Sequence, residues 1–300
     1  MKILLATDGS ENSENAARFL TRFELTQDDE ITVLNVIGWV PFQEDMASLY
    51  RNITFLRKEV AAKVLDSAVG ILKPVPARIS TAIKEGFADN SIMEAASESG
   101  ADLIVMGARG LRGVGAFLLG SVTRAVSLRS PKPVLVVKGP QGVAGENEKL
   151  RLLLATDGSE SALATASFLA GLPLPAATPV RVVNVTWSAV SDVPERFIVE
   201  VDELVKEEIA RAREKEYAAS AKLLKAAGDR LQAKFREVSS ATRIGDPAAE
   251  IIAEANESKA DLIAVGCRGL RGIKGMMGSV SRRVLAHAGC SVLLGRMCGE

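Results

Sequence analysis

The sequence predicts an α/β protein made of two tandem doubly wound domains, each a five-stranded parallel sheet with helices on both faces. Three observations predict it. The opening Ala6-Thr7-Asp8-Gly9-Ser10 returns as Ala155-Thr156-Asp157-Gly158-Ser159. A glycine-rich segment, Gly107–Gly113, returns at Gly266–Gly272, each time after an apolar run and before Gly-Ser-Val at 120–122 or 278–280. Short Val/Ile/Leu-rich runs alternate with helical patterns throughout, and runs apolar on both faces need helices on both sides of the sheet.

In the first copy the strand-like runs fall at about 3–7, 31–37, 77–83, 102–106 and 133–137, and the helical patterns at about 11–22, 47–72, 88–98 and 121–129. The second copy repeats the order from 151–155 to 291–295. Asp157 follows Asp8 by 149 residues but Gly266 follows Gly107 by 159, so about ten extra residues lie between these points in the second copy. They lengthen the Glu/Lys/Ala-rich helix expected near 202–226, which places Leu204, Val205, Ile209 and Ala212 on one core-facing stripe and ends at Gly228 as a left-handed cap. The segment 138–149, rich in Gly, Pro and polar residues, reads as an interdomain joint. The expected division is domain 1 at 1–138, linker at 139–149 and domain 2 at 150–300.

Thirty-seven basic and 37 acidic residues cancel, which leaves no broad electrostatic footprint for nucleic acid or an anionic membrane. Three cysteines at irregular spacing, Cys267, Cys290 and Cys298, argue against a disulfide framework or a Cys-x-x-Cys zinc site. The N-terminal apolar run is too short for a signal peptide, and no stretch approaches the roughly 20 apolar residues of a membrane span. A cytoplasmic protein is expected.

In an open parallel sheet, ligands bind outside the carboxyl ends of the strands, where strand order reverses. Asp8 and Asp157 lie just past the first strand of each copy, and the glycine segments just past the fourth, so the two converge if those strands are neighbours. Glycines at 107, 110, 113, 115 and 120 let successive N–H groups turn toward an anion. Gly120-Ser121-Val122 would open a helix whose unpaired N–H groups favour phosphate, with Ser121 either adding a hydroxyl or merely capping the helix. Asp8-Gly9-Ser10 reads either as a helix cap or as a carboxylate lining the cleft. Arg109, Arg112, Arg268 and Arg271 could meet phosphate or stay solvated.

Neither copy carries a P-loop, and no Gly-x-Gly-x-x-Gly turn follows either first strand. The lone histidine, His287, sits in a helical pattern without a counterpart in the first copy, which disfavours a Ser-His-Asp or Cys-His enzyme. Cys267 lies in an N–H-rich loop that could stabilise a thiolate, but its counterpart is Ala108.

These residues resemble the universal stress protein family, an adenine-nucleotide-binding α/β group with the signature Gly-x2-Gly-x9-Gly-Ser/Thr. The first copy matches it with Gly107, Gly110 and Gly120-Ser121. The resemblance extends to Ala6–Ser10, Asn35-Val36, Glu85-Gly86 and Pro133–Val137, and accounts for nearly all of both halves, as in a tandem member. It implies that Ala6 and Asp8 lie toward the ribose and adenine, that the backbone at Val36 and Met106 frames the adenine, and that Gly107, Gly110, Gly120, Ser121 and Val122 hold phosphates. Carried to the second copy, the positions are Asp157, Val185, Val265, Gly266, Gly269, Gly278, Ser279 and Val280. There only eight residues separate Gly269 from Gly278, a deletion expected to shift the Gly-Ser-Val turn. The implied ligand is ATP, AMP or ADP, with Mg2+ as its companion, bound to a stress-response protein that acts through conformation or partner binding. The expected partners are the nucleotide, the paired like domains and a homodimer, with no nucleic acid and no membrane. Two alternatives stay open: a weak ATPase or self-phosphorylating enzyme using Ser121 with Arg109 or Arg112, and a nucleotide-free dimerisation scaffold that uses Val134–Val137 and Val292–Leu294 as edge strands.

Overall fold

Ten strands and eight helices alternate along the described residues, which are 1–39, 47–111, 119–139, 149–187, 203–267 and 277–296 of a computed structural model. In the first repeat these are β1 (Lys2–Ala6), α1 (Glu11–Leu20), β2 (Glu30–Gly38), α2 (Ala47–Leu72), β3 (Arg78–Gly86), α3 (Ala88–Glu98), β4 (Leu103–Gly107), α4 (Ser121–Arg129) and β5 (Val134–Val137). In the second they are β6 (Leu152–Ala155), α5 (Glu160–Gly171), β7 (Val180–Thr186), α6 (Glu203–Gln232), β8 (Val238–Ile244), α7 (Pro247–Glu257), β9 (Leu262–Gly266), α8 (Ser279–His287) and β10 (Ser291–Gly295). The tandem α/β reading therefore holds. The expected linker lies outside the described residues at 140–148. No described helix is long and apolar enough to cross a membrane.

The chain divides into two compact units: Met1–Glu148 with Pro173–Pro175 and Cys290–Glu300, and Lys149–Leu172 with Ala176–Gly289. In unit 1 the strands run in the order β3-β2-β1-β4-β5-β10. All pairs are parallel except β5 with β10, where Leu135 stands opposite Leu293. The terminal run Val134–Val137 is thus no free edge, because β4 takes one side of it and β10 the other. Strands β4 and β5 are buried along their whole length, as their unbroken apolar runs require. Helices α1 and α2 touch one another, as do α3 and α4, and both α2 and α3 lie on β2, so each face of the sheet has a helical layer. Strand β3, paired only with β2, is largely exposed.

Unit 2 repeats the parallel order β9-β6-β7-β8. Its long helix corrects two expectations. The core stripe of α6 is Ser220, Leu224, Ala227 and Leu231, whereas Val205 is 42% exposed and Ala212 is also exposed. Among the described residues of α6 the buried ones all lie from Ser220 onward. Gly228 does not cap the helix, which continues to Gln232 without a left-handed residue there.

Unit 2 also carries a buried acid. Glu254 on α7 is only 2% exposed and accepts from Arg181 of β7 and Arg243 of β8, while Arg243 also reaches Glu257. The matching unit 1 positions are Thr32, Ala95, Lys84 and Glu98, of which only Lys84 and Glu98 form an ion pair, at 2.6 Å. Burial pushes the Glu254 carboxyl up, but the hydrogen bonds from Arg243 and Arg181 outweigh it and leave the group below the ordinary carboxylate range.

Two outcomes test these assignments. Gly228→Ala, with no atom within 4 Å of the added Cβ, should raise stability by about 0.5–1 kcal/mol in urea unfolding; a left-handed cap would make the same change destabilising. Glu254→Ala should cost about 1–3 kcal/mol at pH 7, because the two arginines lose their acceptor. Since the folded carboxyl titrates below its unfolded value, its stabilisation is complete above the unfolded pKa and disappears as pH falls through the folded one. The stability difference between wild type and variant should therefore shrink as pH falls below the ordinary glutamate range.

Candidate functional site: a cleft built twice

The first cleft begins where β1 ends. Parallel pairing sets Ala6 opposite both Leu34 and Met106, so β1 and β4 end side by side while β2 runs on to Gly38 beside them. Asn35 fixes that end by donating its side-chain amide to the Thr7 carbonyl at 2.8 Å. Gly9 then turns with φ +78°, and a Cβ there would lie 2.7 Å from Val64 of α2. The helix cap falls to Ser10, whose side chain accepts from the Ser13 N–H. The capping reading of Asp8-Gly9-Ser10 thus holds for Ser10 and not for the Asp8 carboxylate.

Asp8 instead holds the glycine segment. Its Oδ1 accepts from the Ser10 N–H at 3.1 Å and the Ser10 hydroxyl at 2.6 Å, and its Oδ2 accepts from the Leu111 N–H at 2.9 Å. A Cβ on Gly110 would collide with that same Oδ2. Gly107, the last residue of β4, passes the first turn of α1 so closely that a Cβ would sit 2.6 Å from the Asn12 backbone. The segment closes where the Gly120 N–H donates to the Ala108 carbonyl at 2.9 Å, and Thr123 Oγ1 donates to the Gly107 carbonyl at 2.8 Å. Gly120 occupies the cap position of α4 without a side-chain cap, and Ser121 is the first helical residue, not its cap.

These pieces enclose a cleft of about 390 Å³. Leu34, Val36, Ala88 and Ile92 make its β2–α3 side apolar, and Gly107, Arg109, Gly110, Gly120, Ser121 and Val122 form its loop side. All the first-copy candidates, Ala6, Asp8, Val36, Met106 and these glycines with Ser121 and Val122, line it. Arg112, Gly113 and Gly115 lie outside the described residues. Behind the loop, Val137 accepts the Ala108 N–H at 2.8 Å, and burial pushes the adjacent Lys138 ammonium down to about 8. The Arg109 charge adds to that shift and Cys290 opposes it.

The second cleft, about 310 Å³, is lined by Asp157, Val185, Val265, Gly266, Gly278, Ser279 and Val280. Gly269, Arg268 and Arg271 fall outside the described residues. Asn184 donates to the Thr156 carbonyl at 2.7 Å, and Ser281 to the Gly266 carbonyl at 2.6 Å. The Gly278 N–H donates to the Cys267 carbonyl at 2.8 Å, so the deletion does not displace the Gly-Ser-Val turn from its anchor. The clefts differ in detail: Ala162 replaces Ser13, Val183 replaces Leu34 and Pro247 replaces Ala88. Cys267 is buried with its sulfur 3.8 Å from the Ser161 hydroxyl, and His287 is exposed at the end of α8. Among the described residues no three His, Cys, Asp or Glu side chains cluster to hold a metal.

Sequence reasoning passed over Thr7, Ser13, Leu34, Ala88, Ile92 and Thr123, all of which line the first cleft. A signal existed for Thr7, which recurs as Thr156, as does the strand-end lock Asn35, which recurs as Asn184. The α3 residues carry only an ordinary helical pattern.

Fold and clefts together define a duplicated α/β chain with one cleft per repeat at the carboxyl ends of its parallel strands. Residues 1–138 and 150–296 each match the universal stress protein family, and the chain belongs to that family. The universal stress protein MJ0531 of Methanocaldococcus jannaschii is 36% identical over 141 residues, 47% of this chain and 83% of that one. A universal stress protein of Mycolicibacterium smegmatis is 26% identical over 302 residues, covering 98% of this chain and 96% of its own. The crystal structure of a universal stress protein from Archaeoglobus fulgidus shares the fold, with a TM-score of 0.64 and 21% identity over 98% of both chains.

Gly107→Ala should lower stability by about 1–3 kcal/mol in urea unfolding, because either β4 or the first turn of α1 must move to admit the methyl group.

Proposed function

We propose that each cleft binds an adenine nucleotide, ATP or AMP, and that the chain serves a stress response through ligand-dependent conformation or partner binding. The observation that carries this reading is the pair of glycines, Gly107 and Gly266, whose missing side chains leave backbone close to backbone at the mouth of each loop. A Cβ at Gly266 would lie 2.9 Å from the Ser161 hydroxyl and 3.0 Å from the Ala162 nitrogen. Such a bare backbone bend, followed by a helix start with no side-chain cap, offers N–H groups and the positive helix end to phosphate oxygens. The apolar β2–α3 side suits a flat base, as does Val183, Val185 and Ile251 in the second cleft. Arg109 supplies positive charge on the loop side of the first cleft. Magnesium would enter with the phosphates and offset their charge, while the protein contributes orientation through its amides. Family membership supports the same reading.

Calorimetric titration of nucleotide-stripped protein with ATP and AMP tests it. Two sites per chain are expected in the wild type, one in Gly107→Val, one in Gly266→Val and none in the double variant, with folding checked by circular dichroism. Absence of binding at millimolar nucleotide by folded wild-type protein would overturn the proposal.

A further inference from the structure

Where β2 and β3 run out, two large aromatic side chains stand in solvent. Trp39 is 62% exposed and Phe87 66% exposed, yet their rings lie together, with centroids 6.3 Å apart and planes inclined by 37°. The backbone holds them there. Gly38 pairs with Gly86, the Trp39 N–H donates to the Gly86 carbonyl at 3.2 Å, and Gly86, at φ +145°, turns the chain into α3. Single exposed apolar residues are ordinary, but two touching aromatic rings held out by paired strand ends are not.

Phe87 occupies a position where a polar residue would stabilise the fold. It is the N-cap residue of α3 and provides no side-chain hydrogen bond to the first turn. Its counterpart in unit 2, Asp246, caps α7 by accepting from the Ala249 N–H at 2.9 Å and also pairs with Arg283 at 2.7 Å. The first repeat thus gives up a cap, a loss that Asp or Ser would repair, for an aromatic ring in water. Breaking a local rule without structural gain marks a place where function sets the residue. Neither ring is among the residues that line the first cleft, but their neighbours point to a function at its margin: Ala88, next to Phe87, and Val36, three residues before Trp39, both line its apolar side.

We infer that Trp39 and Phe87 form an aromatic wall at the base end of the first cleft that stacks against the nucleobase of its ligand and makes this cleft selective for ligands carrying a planar base. The inference rests on the nucleotide reading above. It assigns both residues a positioning role and makes the two clefts unequal, because unit 2 places a carboxylate where Phe87 stands. Stacking a base on an aromatic side chain contributes enough to change affinity by roughly five- to a hundredfold.

The experiment uses the full chain carrying Trp187→Phe, which leaves Trp39 the sole tryptophan, and Gly266→Val, which removes the second cleft. ATP should quench Trp39 fluorescence, while inorganic tripolyphosphate, which has phosphates but no base, should bind without quenching. Adding Phe87→Asp should weaken ATP about tenfold, leave tripolyphosphate affinity unchanged and raise the thermal midpoint by restoring the cap; Trp39→Ala should weaken ATP similarly. If ATP binds by calorimetry without quenching, and neither variant alters its affinity, the wall is refuted and the nucleotide reading stands. If ATP does not bind the wild-type chain, the nucleotide reading itself falls and takes this inference with it.

Discussion

The architecture of the first cleft depends on one contact in which a side chain is missing. Because Gly107 ends β4 as a bare backbone, the first turn of α1 can lie directly against it. That proximity brings Asp8 and Ser10, on the approach to α1, within hydrogen-bond reach of residues 109–111 on the far side of the segment. Two stretches about a hundred residues apart in sequence are thereby joined by a carboxylate that accepts three hydrogen bonds. Charge-assisted bonds of this kind are stronger than neutral ones, and the loop's share in them is a backbone N–H, that of Leu111.

The same scaffold serves two sites that have drifted apart. The buried frame is the part that repeats: strand-end asparagine, threonine carbonyl, the hydroxyl beneath the loop and the amide that closes it. What varies is what touches the interior and rim, with Ala162 for Ser13, Pro247 for Ala88 and Asp246 for Phe87. Unit 2 spends its polar residues on stability, in the Glu254 cluster and the Asp246 cap. Unit 1 at these positions has Ala95 and an uncapped helix.

Much of the fold was legible in the sequence because buried parallel strands read as unbroken apolar runs, as at Leu103–Met106 and Val134–Val137, and because duplication marked each element twice. The long helix of unit 1 was readable at both ends, 47 and 72. The other long helix misled, since Val205 and Ala212 have core-like spacing yet stand exposed, while the Leu204 side chain lies outside the described residues. Gly228 misled for a related reason: a glycine caps a helix only if the chain turns there, and Ala227 and Leu231 continue the buried stripe across it. Within the cleft, the glycines were visible because their chemistry is backbone chemistry. The exchange of roles between Asp8 and Ser10 was not, because both residue types cap helices and only tertiary contact with Leu111 separates them.

The antiparallel pairing of β5 with β10 bears on how the molecule is made. The partner of β5 is the last strand of the second repeat, with Leu293 opposite Leu135 and so 158 residues further along the chain. A ribosome that has finished the first repeat has therefore produced a sheet with one flank bare, and the apolar Val134–Val137 run keeps an unpaired edge until Ser291–Gly295 has been made. Open strand edges of this kind invite association between chains. The first unit is consequently completed only by a strand that follows every other strand of the second repeat along the chain.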